Sequence, residues 1–304
     1  MSILLSLFDA FWKQCKKGDD KTHARQTLPD GIKEENNLPY LDDGSHYHLL
    51  DAYYPENNNG NLPVIIDIHG GGWMYADKEL NKIYCEYLAS RGFIVFNLSY
   101  RLVPEVTTRE QLQDVCAALK WINENLSRFP ADRANIMLTG DSAGGQLCAY
   151  AAALAESERL RQHFGTVDPE LKISCITLTS PMAFMNTRSL VGCYTRIMWG
   201  EKPVRVSVKP YLNLNEVIEC VDKFPPVLCV TSSGDLARGQ TIQAHELFLR
   251  RGIEARLLDF PKFEGKNLLH VFGVLEPDSP AGRIYLDRMC AFFREHFAAM
   301  CEKA

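Results

Sequence analysis

ANIMLTGDSAGGQLCAYAAALAE, residues 134–156, changes character in its middle. The opening ANIML is a short apolar run that suits a buried strand. The closing LCAYAAALAE is rich in alanine and leucine, as a helix is. Between them Gly140-Asp141-Ser142-Ala143-Gly144 fits G-x-S-x-G, with a serine in the tightest part of the corner. Small residues two places either side let the chain turn sharply there, and the following helix aims its first amides at the hydroxyl. Such a corner needs a strand that hands directly to a helix, which is the unit of a parallel α/β sheet.

The rest of the chain repeats that unit. YHLLDAYY, PVIIDIHG, FIVFNLSY, KISCITLTS, PPVLCVTSSGD and ARLLDF read as strands. ELNKIYCEYLASRG, REQLQDVCAALKWINENL, QTIQAHELFLRRG and IYLDRMCAFFREHF read as helices between or after them. VIIDI, FIVF and VLCV are apolar nearly throughout, as strands covered on both faces are. The expectation is α/β: one domain over 1–304, a mostly parallel sheet with helices on both faces and a small helical cap. Residues 183–222 are too long for a simple crossover and read as an inserted, partly helical cap. In residues 1–45, Ile3, Leu4, Leu7, Phe8, Phe11 and Trp12 fall on one helical face. That face docks on the protein's own body, caps a site as a mobile element or, last in order, anchors at a membrane surface.

Composition removes several classes. A 304-residue chain that is 46% hydrophobic can build one sizeable core. The net charge of -5 and the lack of a basic run give no footprint for nucleic acid. No apolar run approaches the roughly 20 residues of a membrane span. The first apolar stretch is interrupted by Asp9 and its lysines follow it, unlike a secretory signal. The ten cysteines are scattered without a C-x-x-C pair. We therefore expect free thiols, no metal site and a cytoplasmic setting.

Chemistry is sought in the loops after the strands, where open parallel sheets bind their ligands. A serine nucleophile needs a base and an acid that orients it, here expected in the order Ser, acid, His. His163 lies in a polar stretch, and His245 and His296 fall within helices. His270 follows the strand ARLLDF through a loop, and Asp235 follows the preceding strand in CVTSSGD. Asp259 sits inside a strand and Asp222 at the wrong end of one. Ser142, Asp235 and His270 thus share one rim. The run IHGGGWMYAD, residues 68–77, ends another strand with three consecutive glycines that let backbone N–H groups turn inward. Together with the amide after the serine, such a loop can hold an oxyanion. His69 reads as structural.

HGGGW, NLSYRLVPE, DVCAALKWI, GDSAGG, SSGD and HVF occur in the order found in the hormone-sensitive-lipase-like branch of the α/β-hydrolases, which the chain resembles over roughly residues 46–297. The resemblance implies a carboxylesterase acting on short acyl esters of small molecules, without a cofactor. It implies Ser142 as nucleophile, His270 as base, Asp235 as the residue orienting it, and Gly71, Gly72 and Ala143 as oxyanion donors. It implies caps from the N-terminal segment and from an insertion after the sixth strand. The chain departs from relatives at DLARGQ after the acid, and at Val271, where His-Gly-Phe is common. An amidase or peptidase, or a binding member without catalysis, stands as the alternative. Oligomeric state stays open, a homodimer included.

Overall fold

The strand-like runs pair in one eight-stranded sheet of order β1-β2-β4-β3-β5-β6-β7-β8. The structure is a computed structural model and describes residues 2–58, 60–185, 197–200 and 207–301. The strands are β1 (Ile32–Pro39), β2 (Leu49–Pro55), β3 (Leu62–Ile68), β4 (Ile94–Leu98), β5 (Ala131–Asp141), β6 (Cys175–Thr179), β7 (Val227–Ser232) and β8 (Ala255–Phe260). β1 and β2 join antiparallel at one edge, and β4 through β8 run parallel with β3 among them.

Side chains alternate across a sheet with period two, and here that alternation builds two cores. Val64, Ile66 and Ile68 of β3, with Ile136 and Leu138 of β5, face one side. Ile65 and Met137 face the other, with Val95, Leu228 and Val230. The first side is covered by α3 (Thr108–Asn125), α4 (Ser142–Glu156), α5 (Glu158–Phe164), α6 (Leu214–Ile218) and α7 (Arg238–Arg250). The second is covered by α2 (Lys82–Ala89), α8 (Phe272–Leu275) and α9 (Pro280–Cys301). α3 starts at a capping box in which the Glu110 carboxylate accepts the Thr107 N–H at 2.6 Å.

Two segments differ from a plain cap reading. Residues 32–39, within the expected cap segment 1–45, form the edge strand β1. Its sequence IKEENNLP is polar and mostly exposed, so it lacks the apolar alternation that marks a strand; charged residues are common on such edges. The helix α1 (Ser2–His23) precedes it and leans Leu5 and Phe8 on the first core. Of residues 183–222, Met185, Trp199, Tyr211 and Leu214 are buried in that same core. Residues 186–196 and 201–206 lie outside the described residues. No helix among the described residues is long and apolar enough to cross a membrane.

Candidate active site

β5 ends at Asp141 and α4 begins at Ser142, whose φ is +51°. A non-glycine residue in this left-handed region costs of order 1–3 kcal/mol and persists only when its surroundings enforce it. They do so by close approach. A Cβ on Gly140 would lie 2.4 Å from the Gly144 carbonyl oxygen, and one on Gly144 only 2.0 Å from that of Ile68. The Ser142 carbonyl accepts the Met182 N–H at 3.0 Å, which joins the elbow to the loop after β6.

His270 bridges the other two expected residues. Its Nε2 lies 2.9 Å from Ser142 Oγ and its Nδ1 lies 2.6 Å from Asp235 Oδ1. The carboxylate is itself held: Thr231 Oγ1 donates to Oδ2 at 2.6 Å and the Ala237 N–H to Oδ1 at 2.8 Å. Burial works to raise the Asp235 carboxyl, but hydrogen bonds from His270, Thr231 and the Ala237 amide outweigh it and hold the group below its ordinary value. The acid and base loops are also laced together. Ser232 Oγ donates to the Leu268 carbonyl at 2.9 Å, as does the Gly234 N–H at 2.9 Å. The rival acids lie elsewhere: Asp259 is paired with Arg238, and Asp222 is exposed.

The glycine loop packs against the elbow. Gly71, Gly72, Trp73 and Ala76 have φ of +102°, +57°, +63° and +75°. The Gly70 N–H donates to Asp141 Oδ1 at 3.0 Å, and Asn81 Nδ2 donates to the same oxygen at 2.9 Å and to Asp67 Oδ2 at 2.8 Å. Trp73 Nε1 donates to Gln146 Oε1 on α4. His69 is fully buried, with its ring stacked on Tyr100 at 4.4 Å and its Nδ1–H donating to the Gly70 carbonyl at 2.8 Å. Gly71 and Gly72 line the cavity beside Ser142. Ala143 lies in the first turn of α4, where N–H groups have no acceptor within the helix.

That cavity measures about 390 Å³ and is mainly apolar. Ser142, His270 and Val271 lie on one part of its wall, and Phe11, Trp12 and Cys15 of α1 on another. Met182 and Tyr75 line it too, whereas among the described residues none of 183–222 does. Trp12 is seated on the glycine loop: a Cβ on Gly72 would lie 2.3 Å from its Cζ2. No cluster of three or more metal-ligating side chains occurs among the described residues.

Several residues that build the site carry no pattern of their own. Asn81, Gln146 and Thr231 sit within ordinary helix or strand runs, and only their tertiary partners give them a role. Ser232 and Gly234 belong to the SSGD motif, but nothing in its spacing shows that it fastens one loop to another.

A family model described as BD-FAE matches residues 50–197. Carboxylesterase NlhH of Mycobacterium tuberculosis is 34% identical over 131 residues, which is 43% of this chain and 40% of that protein. The versiconal hemiacetal acetate esterase of Dothistroma septosporum is 33% identical over 131 residues, 43% of this chain and 36% of that protein. The chain thus spans about two fifths of the length of the curated relatives it matches. Among solved structures, esterase B of Lactobacillus rhamnosis, determined with a tributyrin phosphonate, superposes with a TM-score of 0.94 at 28% identity, covering 99% of this chain and 98% of that one.

Proposed function

We infer, for a chain that belongs to the hormone-sensitive-lipase-like branch of the α/β-hydrolase superfamily, that it is a carboxylesterase hydrolysing short-chain acyl esters of small molecules. The observation that carries this reading is His270, within hydrogen-bond distance of Ser142 on one ring nitrogen and of Asp235 on the other. In this reading His270 takes the Ser142 proton as Oγ attacks the ester carbonyl. Asp235 fixes the ring so that Nδ1 carries a proton and Nε2 is free to accept one. The amides of Gly71, Gly72 and Ala143 receive the charge that develops on the carbonyl oxygen, and each such donor is worth about 2.7–4 kcal/mol in the transition state. His270 then protonates the departing alcohol, and water releases the acid by the same steps in reverse.

A substrate of modest size suits the about 390 Å³ of cavity under α1, and a structural neighbour was solved with a tributyrin phosphonate. The eight free cysteines among the described residues support a cytoplasmic setting. The test is hydrolysis of p-nitrophenyl esters from acetyl to palmitoyl by the native protein and by Ser142→Ala. The reading requires turnover of the short esters and a loss on the order of 10⁴–10⁶ in kcat in the variant. No turnover of any ester by the native protein would overturn it and bring forward amide hydrolysis or ligand binding.

A further inference from the structure

The cavity over Ser142 has a neighbour. A second cavity of about 350 Å³ lies beside it, lined by Lys16, Asp20, Asp77 and Glu79 among others. Asp19, Tyr75 and Leu80 line both cavities. The two are unlike in chemistry, the first mainly apolar and the second mixed, with Lys16 and four carboxylates set among apolar side chains such as Met74 and Leu102. What stands between them is a built wall. The Tyr75 ring stacks on Trp12 with centroids 5.5 Å apart and planes 11° from parallel. Its hydroxyl donates to Asp19 Oδ2 at 3.0 Å, so α1 grips the ring on its face and at its tip. Its backbone is held as well, since the Tyr75 N–H donates to the Gly71 carbonyl at 3.0 Å. A ring restrained on its face and at its tip, on a tethered backbone, is poorly placed to swing aside for a substrate chain.

Resting on the esterase reading above, we propose that Tyr75 is a specificity-determining residue that caps the length of the substrate chain lying under α1. A chain that ends at the ring stays in apolar surroundings. A longer one has to displace the ring from Trp12 and Asp19 and enter space flanked by carboxylates, where burying methylenes strips water from charged groups. Short-chain preference then follows from one side chain rather than from the size of the whole cavity.

The experiment compares relative kcat/KM along two series, p-nitrophenyl esters from acetyl to decanoyl and alkyl acetates from methyl to octyl. The native protein, Tyr75→Ala, Tyr75→Leu and Tyr75→Phe are measured. The wall predicts that Tyr75→Ala and Tyr75→Leu move the length cut-off outward in one series, by about tenfold or more in the long-to-short ratio, since a single methylene is already worth 10–200-fold in a fitted pocket. Tyr75→Phe keeps the stack on Trp12 but loses the hold on Asp19, so its cut-off should lie between the native one and that of Tyr75→Ala. An equal loss at every length, or an unmoved cut-off in both series, overturns the proposal. Calorimetric binding of straight-chain carboxylates from butanoate to dodecanoate, in a Ser142→Ala background with and without Tyr75→Ala, reads the wall without turnover. Inert native protein with a shifted binding series would sink the esterase reading alone; an unshifted binding series would sink the wall.

Discussion

The indole N–H of Trp73 donates to the side-chain oxygen of Gln146 across 3.0 Å, and this bond ties the glycine loop to the helix that begins at Ser142. Both groups are buried. The loop holding the expected oxyanion donors and the helix holding the expected nucleophile are thereby fixed to one another. Gln146→Met keeps the volume and removes the acceptor. We expect it to lower stability by about 1–3 kcal/mol, the usual cost of stranding a buried polar group. It should reduce kcat more than it changes KM. Urea unfolding and steady-state kinetics measure the two effects, and a lower kcat without lost stability would separate alignment from packing.

Asp235 is held by three donors, so Asp235→Asn leaves most of its surroundings intact and changes chiefly the group facing His270 Nδ1. The amide favours the wrong imidazole tautomer. A fall in kcat of about 10⁴ is expected from that change alone. A much smaller loss would mean that the amide nitrogen turns to Thr231 and its oxygen stays on His270 and Ala237, or that another acid orients the ring.

Gly72 lies against Trp12, and its φ of +57° is one that side chains adopt rarely. Gly72→Ala should therefore reduce ester hydrolysis at least tenfold. Pairing it with Trp12→Ala removes the clash but not the backbone strain. A double-mutant cycle should show partial rescue, with a coupling of about 0.5–3 kcal/mol. Strict additivity would show that the two residues do not meet in solution.

Burial of His69 holds its imidazole down at about 4. The unfolded chain takes that proton near pH 6.5, so it binds more protons than the folded chain between the two values. Stability therefore falls as the pH drops from about 6.5 to about 4, by roughly 3 kcal/mol for this group alone. His69→Phe retains a ring against Tyr100 and abolishes this titration. Its urea midpoint should change less between pH 7 and 4.5 than that of the native protein.

Val271 follows the expected base with a φ of +50° and is buried against the cavity. A β-branched residue is a marked outlier in that region. Val271→Gly relieves strain of order 1–3 kcal/mol while giving up about 1.5–3 kcal/mol of side-chain burial. Its net effect on stability should stay within about 2 kcal/mol, whereas the same change at Val115, fully buried within α3, should cost more. Thermal denaturation of the two variants checks the contrast.

The doubly buried strands were legible because their apolar runs leave no other home for them; Ser142 and Asp235 were legible as neighbours on one rim because each follows such a strand, and His270 because it follows the partly buried edge strand β8 through a loop. β1 was not legible. An edge strand needs only backbone partners on one side, so IKEENNLP can be polar at most positions and still pair. The N-terminal helix was legible as amphipathic, but its seat was not, since the fit of Trp12 against Gly72 depends on two segments brought together only by the completed sheet. Val271 stood out as a departure from relatives that carry glycine there, and its φ gives the physical reason glycine suits the position.

α1 precedes every strand in the chain, yet its seat is assembled late. It rests on the loop after β3, and just beyond its end Gln26 donates to the Leu275 carbonyl. During synthesis the helix therefore emerges with Leu5, Phe8 and Trp12 before anything exists to receive them. A segment made before every strand is among the last that can dock. Until residue 275 is in place, the cavity beside Ser142 lacks part of its wall, and the nascent chain carries an amphipathic helix whose apolar face has no surface to cover.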